Sequence, residues 1–166
     1  MRNYIVSILV RNHSGVLRRV AGLFSRRGYN IESLSVGETQ DVGVSRITVV
    51  VQGDEYIIEQ IVKQVSKLIE VMKVERLHSS EAVYRELSLL RISTTNENRS
   101  EIIEIINIFR GRVVDIAEKS MIVEITGDSG KVNAFIKAMD SFTILELVRT
   151  GLTAMKRGEN EFANEE

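Results

Sequence analysis

The sequence predicts an α+β fold built from two ferredoxin-like βαββαβ units, each a four-stranded antiparallel sheet with two helices on one face. Two observations support this. Apolar residues recur with strand and helix periods in the order β-α-β-β-α-β. The same order then recurs in the second half of the 166-residue chain. Because crossovers between strands are right-handed, that order closes into a single sheet covered by its helices.

Four strands and two helices are predicted in the first half. The predicted strands are residues 4–10, 30–36, 45–51 and 71–77. The first helix follows Gly15 and ends at Gly28, which stands where a C-cap glycine is expected. The second helix begins after Asp54, a residue type that commonly caps helix N-termini. A polar turn at 40–43 makes the two middle strands a hairpin.

The second half repeats this plan. Its predicted strands are residues 86–94, 112–117, 121–126 and 144–150. Asp128 takes the place of Asp54, and Gly111 takes the place of Gly28. We therefore predict an N-terminal domain over residues 1–78, a linker over 79–85, a C-terminal domain over 86–155 and a flexible tail over 156–166.

The sheet face that the helices leave uncovered must be solvated or used for association. The alternation of apolar and polar residues is blurred at Ile5-Val6 and at Val49-Val50-Val51, so both faces are expected to be partly buried. Strands with such sequences pair readily with a second copy when they lie at a sheet edge. We therefore expect the chain to associate.

Composition excludes several kinds of function. The formal net charge of −1 argues against binding to bulk nucleic acid or to an anionic membrane. The strand over 45–51 also lacks the aromatic residues that stack on RNA bases. The absence of cysteine rules out disulfides, thiolate metal sites and cysteine nucleophiles. With no signal peptide and no apolar run of membrane-spanning length, a cytoplasmic location is expected.

No catalytic or metal-binding constellation is visible, so no enzyme activity is expected of this chain. His13 and His78 lie in a loop and at the junction of the two halves, where histidine is usually an ordinary surface residue. No Walker loop or dinucleotide fingerprint occurs. Glu101 and Glu104 fall on the polar face of a predicted helix, where solvated carboxylates are expected.

One segment has the features of a ligand site. Residues 12–17 join the first strand to the first helix, and Gly15 lets the backbone turn and a ligand approach closely. The amides of Gly15, Val16 and Leu17 lie at the positive end of the helix dipole. A carboxylate there is stabilised by about 0.3 to 2 kcal/mol. Asn12 adds a polar side chain to the same loop.

Asn30 and Ile31, at the start of the second strand, are candidates to complete the site. Asn30 offers donors and an acceptor to an ammonium or a carboxylate, and Ile31 offers an apolar wall. The alternative is that Asn12 and Ser14 cap the helix and that Asn30 stabilises a turn. The second half favours ligand binding, because it keeps the same pattern with Val113 at the place of Asn30.

The same residues resemble a known family. Residues 10–20 (VRNHSGVLRRV) and 22–34 (GLFSRRGYNIESL) closely resemble the ACT domain of the small subunit of acetolactate synthase, also called acetohydroxyacid synthase. Further similarity lies at Ser45-Arg46 and at residues 108–111 (IFRG), so the resemblance covers nearly the whole chain.

This resemblance implies a non-catalytic regulatory subunit that forms a homodimer through its ACT domains and binds a large catalytic subunit. The large subunit would hold thiamine diphosphate, FAD and Mg²⁺, so no cofactor or metal is expected in this chain. The small subunit would stimulate its partner and confer feedback inhibition by valine or another branched-chain amino acid. The effector would lie between two protomers, held by Asn12, Gly15, Val16 and Leu17 of one and by Asn30 and Ile31 of the other.

Two other functions remain open at this point. A free-standing amino-acid-sensing ACT protein would act on another enzyme or on a transcription factor. A small ferredoxin-like enzyme would need a nucleophile and a base, and no such set is visible in the sequence. The effector also stays open among valine, leucine and isoleucine, since its apolar wall comes from two chains.

Overall fold

A computed structural model describes residues 2–158 of the chain. Its helices and strands, in chain order, are β1 (Arg2–Arg11), α1 (Val16–Arg27), β2 (Ile31–Glu38), β3 (Val44–Gly53), α2 (Glu55–Val65), β4 (Val71–Leu77), β5 (Ala82–Ser93), α3 (Arg99–Ile108), β6 (Arg112–Ile116), β7 (Ser120–Gly127), α4 (Ser129–Ala138), β8 (Ile144–Arg149) and β9 (Thr153–Lys156).

Both predicted units form, and the predicted fold class is confirmed. The first sheet has the strand order β2-β3-β1-β4 and the second has the order β6-β7-β5-β8, with antiparallel neighbours along both. Each sheet therefore places the first strand of its unit between the third and the fourth. The short strand β9 pairs with β5 and has no counterpart among the predicted strands.

The described residues form two compact units whose bounds differ from the predicted domains. One unit contains residues 2–83 and 152–158, and the other contains residues 84–151. Residues 79–85 do not form a separate linker, because β5 already begins at Ala82, which is buried.

The end of the chain also differs from the prediction. The sequence predicts residues 152–155 in the second domain, whereas the structure places them in the first unit. Lys156, assigned to a flexible tail, is the last residue of β9. Residues 159–166 of the predicted tail lie outside the described residues.

The core of the first unit lies between its sheet and its two helices. Val16 and Phe24 of α1 are buried, whereas the arginines of the helix are exposed. The helix ends at Gly28, whose φ of 68° is the left-handed conformation that glycine adopts at C-caps. Asp54 caps α2 as predicted, because its carboxylate accepts a hydrogen bond from the amide of Ile57 at 2.9 Å.

The second unit buries an equivalent core. Phe135 of α4 is fully buried and meets Phe109 edge to face, with ring centroids 5.4 Å apart. Asp128 caps α4 by accepting a hydrogen bond from the amide of Lys131 at 2.8 Å. The repeat therefore extends to the helix cap as well as to the order of the strands.

The open face of the first sheet, opposite its helices, is crossed by the chain's own residues 152–157, here called the strap. Leu152 and Ala154 of the strap are only 4% and 2% exposed. The hydroxyl of Ser35 donates to the carbonyl of Leu152 at 2.8 Å, and the amide of Leu152 donates to the hydroxyl of Ser33 at 3.3 Å. Within the first unit, β9 also contacts β1 and β4.

The strap changes the expected role of this face. Ser7, Thr48 and Val50 alternate with the core residues of their strands and so point away from the helices, yet all three are buried. The expectation that both sheet faces are partly buried is therefore confirmed, but here the chain's own strap provides the cover, and the association of the chain stays a prediction. The blurred apolar pattern reflects a face that the chain itself covers.

Replacing Leu152 by alanine is expected to destabilise the protein. A buried leucine truncated to alanine costs about 2 to 5 kcal/mol, because apolar burial is lost and a cavity remains. Urea unfolding followed by circular dichroism measures the change. The matched control is Met155→Ala in the same strap, where the side chain is 65% exposed and the expected change is within about 0.5 kcal/mol. Equal unfolding midpoints for the two variants would contradict the packing role of the strap.

Candidate functional site

The loop from Asn12 to Gly15 leads into α1, and no side chain caps that helix. The N-cap position is Gly15, with a φ of 89°, and the first turn contains no acidic residue. Ser14 has no side-chain hydrogen bond to a helix amide among the described residues, so the capping alternative does not hold for it. The first amides of α1 have no intrahelical partners, which suits an external anion such as a carboxylate.

Asn12 ties this loop to the β2–β3 hairpin and does not cap the helix. Its side-chain amide donates to the carboxylate of Glu38 at 3.0 Å and to the carbonyl of Val42 at 2.9 Å. Its backbone amide donates to the carbonyl of Gly43 at 2.7 Å. Both side-chain donors are thus engaged within the chain, which leaves the Asn12 amide oxygen as the group that can accept from an ammonium.

Val16 and Leu17 differ in what they can offer a ligand. The side chain of Val16 is buried in the core, so only its backbone amide is available at the loop. That amide makes one long hydrogen bond of 3.5 Å to the carbonyl of His13. Leu17 is 43% exposed, so its side chain can form an apolar wall.

Asn30 and Ile31 lie at the opposite end of the first sheet. In the register of β3, Arg11 is paired with Val44, whereas Ile31 is paired with Val51. Seven residues of β3 separate the two ends, which corresponds to roughly 23 Å at about 3.3 Å per residue. One chain therefore does not bring the six predicted residues together.

The groups at this second end are accessible. Asn30 is exposed, and its amide donates to the carboxylate of Glu32 at 3.0 Å. Ile31 is half-buried and packs against the core of the first unit. The Asn30 amide oxygen and one flank of Ile31 thus remain for contacts beyond the chain.

Glu38 is a residue at the site that sequence reasoning missed. It ends β2 and places a carboxylate beside Asn12, although the two residues are 26 positions apart. No local motif indicates this contact. The pairing of β2 with β3 brings Glu38 opposite Ser45, next to the turn that Asn12 contacts, so only the hairpin register could have suggested it.

The equivalent loop of the second unit is closed by its own side chains. The amide of Thr95 donates to the side chain of Asn98 at 2.7 Å, and the amide of Asn98 donates to the hydroxyl of Thr95 at 3.3 Å. The guanidinium of Arg99 donates to the carbonyl of Glu118 at 3.1 Å. This closed loop contrasts with the glycine-led helix start of the first unit.

Both halves of the chain match models of one protein family. Residues 6–73 match the model described as "AHAS small subunit-like ACT domain", and residues 85–158 match the model described as "Small subunit of acetolactate synthase". A protein of Archaeoglobus fulgidus named "Probable acetolactate synthase small subunit" is 51% identical over 158 residues, which cover 95% of this chain and 99% of that protein. The chain belongs to the acetolactate synthase small-subunit family.

Other members of this family show the same agreement. The acetolactate synthase small subunit of Aquifex aeolicus is 46% identical over 158 residues, covering 95% of this chain and 82% of that protein. The crystal structure of the acetolactate synthase small subunit from Thermotoga maritima has a TM-score of 0.90 and 42% identity, and the match covers 96% of this chain and 100% of that one. The family prediction is confirmed, and the ACT domain implies a regulatory role.

Within residues 2–158, no group of three or more His, Cys, Asp or Glu side chains is arranged to hold a metal ion. In the same part of the chain, no helix is both long and apolar enough to cross a membrane.

Replacing Asn12 by aspartate is expected to destabilise the small subunit more than replacing it by alanine. Both variants lose the two side-chain hydrogen bonds, at about 0.5 to 1.5 kcal/mol each. The aspartate also places a carboxylate beside Glu38 and adds a repulsion of up to about 1 kcal/mol. Thermal unfolding measures the difference.

Glu38→Gln in the N12D background removes the repulsion and is the matched control. It should restore the stability of N12D to that of N12A. If N12D and N12A unfolded at the same temperature, the assigned contact between Asn12 and Glu38 would be wrong.

Proposed function

We propose that this small subunit binds an acetolactate synthase large subunit, stimulates it and confers feedback inhibition by a branched-chain amino acid, with valine as the first candidate. The supporting observation is the division of the six candidate residues between opposite ends of β2. A small ligand can contact both groups only if a second chain supplies one of them.

A two-fold axis through the middle of β2 completes the site in this proposal. β2 is an edge strand, so its outer backbone groups can pair with a second β2. In a centred antiparallel pair, the partner's Ile31 lies opposite Glu38. Because Glu38 contacts Asn12, the loop leading into α1 then lies beside the partner's Asn30. The proposed homodimer and the proposed site thus depend on the same pairing.

The chemistry of this composite site suits a small apolar amino acid. The helix start accepts the carboxylate, the amide oxygens of Asn12 and the partner's Asn30 accept from the ammonium, and Leu17 with the partner's Ile31 packs on the side chain. Burial of a valine-sized side chain contributes roughly 1.5 to 3 kcal/mol. After the cost of association, an affinity between about micromolar and millimolar is expected, or about 4 to 8 kcal/mol.

In this proposal the large subunit performs the reaction and holds thiamine diphosphate, FAD and Mg²⁺. The experiment combines the purified chain with a candidate large subunit and measures acetolactate formation with and without valine, leucine or isoleucine. The chain alone should form none, and the complex should work faster than the large subunit alone. Amino-acid binding without binding to the large subunit would instead support a free-standing sensor.

Gly15→Asp is expected to abolish feedback inhibition while stimulation of the large subunit persists. The new carboxylate would lie at the positive helix start and repel the carboxylate of the effector. Effector affinity should fall at least about tenfold, measured by isothermal titration with the three branched-chain amino acids and by inhibition of the complex.

Gly15→Ala is the matched control. It carries the same cost of a positive φ, about 1 to 2 kcal/mol, and its added Cβ meets no atom within 4 Å. It should keep feedback inhibition. A G15D variant as sensitive as the parent would refute the assignment of the helix start.

Val36→Lys is expected to weaken the homodimer. Val36 is half exposed on β2, and the two-fold axis brings lysines of both protomers close together. The matched control is Met72→Lys on β4, the other edge of the same sheet, where the side chain is also exposed. Sedimentation velocity should show at least about a tenfold rise in the dimer dissociation constant for V36K only. The reverse pattern would place the interface at β4.

A further inference from the structure

The strap is held to β2 through both backbone groups of one residue. Leu152 accepts from the hydroxyl of Ser35 with its carbonyl and donates to the hydroxyl of Ser33 with its amide, at 2.8 Å and 3.3 Å. Its side chain is buried at the same place. Both hydrogen bonds of Leu152 therefore depend on where Ser33 and Ser35 of β2 lie. A shift of this strand changes both contacts.

The same strand carries both ends of the proposed effector site. Ile31 begins β2, Glu38 ends it beside Asn12, and the two serines lie between them. Ser33 and Ser35 pair with Val50 and Thr48 on the open face, away from the core residues. Effector contacts at the ends of β2 and strap contacts at its middle thus act on one short element.

The other end of the strap is anchored beyond Leu152. The side chain of Lys156 lies 3.6 Å from the carboxylate of Glu75. The amide of Arg157 donates to the carbonyl of Glu81 at 2.7 Å, and its guanidinium donates to the carbonyl of Ala82 at 3.3 Å. The strap is thus fixed at both ends within the first unit.

The chain enters the strap from a residue that is fixed in the second unit. Thr150 follows β8, and its amide donates to the carbonyl of Leu87 at 2.9 Å while its hydroxyl accepts from the amide of Leu87 at 3.0 Å. Only Gly151 separates Thr150 from Leu152. The Cα atoms of Thr150 and Leu152 can lie at most about 7 Å apart, because only two peptide units join them. A larger movement of Leu152 therefore displaces Thr150 as well.

We propose that the strap transmits effector occupancy from β2 of the first unit to β8 of the second. Effector binding fixes β2, the fixed strand holds Leu152 through Ser33 and Ser35, and the held strap restrains Thr150 and the end of β8. The inference rests on the proposed effector function, whose site contains none of the strap residues. It gives the C-terminal segment a regulatory role that the effector site alone does not require.

Amide hydrogen exchange of the full chain tests this proposal, with L-valine, L-leucine and L-isoleucine as the probes. With the amino acid that binds, exchange at Leu152 and over residues 144–150 should slow by at least about threefold. In S33A/S35A, the binding constant from titration should stay within about threefold of the parent value, whereas the slowing over 144–150 should disappear. Ser80→Ala, at an exposed turn outside the strap, is the matched control and should behave as the parent.

A second variant covers the case in which S33A/S35A does not fold. The hydroxyl oxygens of Ser35 and Thr153 are 3.5 Å apart, and the chain contains no cysteine, so S35C/T153C offers a single possible disulfide. Oxidation should slow exchange over 144–150 without any amino acid, and reduction should reverse it. Mass analysis verifies that the disulfide forms.

The outcomes separate this inference from the proposed function. If none of the three amino acids binds the parent chain, the effector function fails and the coupling fails with it. If one binds but the exchange of Leu152 and residues 144–150 does not change, only the strap proposal is overturned. The strap proposal is also overturned if S33A/S35A shows the same slowing over 144–150 as the parent.

Discussion

The register of the first sheet is the constraint on which the candidate site depends. β1 and β2 are both paired to β3, and these pairings place the loop that enters α1 at one end and Asn30 at the other. Because backbone hydrogen bonds fix this register along the whole strand, no side-chain movement can bring the two ends together. In the proposed site, one ligand can therefore contact both groups only if a second chain supplies one of them, and this condition follows from strand pairing alone.

The two units show how one fold can carry different loops before corresponding helices. Asp54 and Asp128 cap corresponding helices in the same way, and both cores fill the space between sheet and helices. The helix starts differ, however. Neither α1 nor α3 has a side-chain cap. The loop before α3 is nevertheless closed by the bonds between Thr95 and Asn98. The first turn of α3 also contains Glu101, whereas α1 follows Gly15 with no acidic residue in its first turn. Loop residues can change in this way without cost to the core.

Sequence periodicity predicted the elements that pack on a core, and it failed for the strap. The helix caps at Asp54 and Gly28 and the hairpin turn at residues 40–43 were predictable because their signals are local. The strap gives no such signal, since β9 has four residues and its partner Ser35 lies 117 positions from Leu152. The contact of Asn12 with Glu38 also depends on hairpin register. Residue type and loop position were enough to predict the six candidate site residues. Only the structure shows that they divide between the two ends of β2.

The binding free energy of a small effector limits which part of the structure it can move. Shifting a two-state equilibrium from 1:99 to 99:1 needs about 5.5 kcal/mol of differential binding, close to the whole affinity expected for a small amino acid. Rearranging a unit with a buried core lies beyond that range. The strap is held by two serine hydrogen bonds, worth about 0.5 to 1.5 kcal/mol each, and by the hydrogen bonds of Arg157 to the carbonyls of Glu81 and Ala82. The ion pair of Lys156 with Glu75 and the buried side chains of Leu152 and Ala154 add to these contacts. In the proposed coupling, an effector therefore needs only to strengthen the two serine contacts, which together are worth about 1 to 3 kcal/mol, and does not have to release the strap.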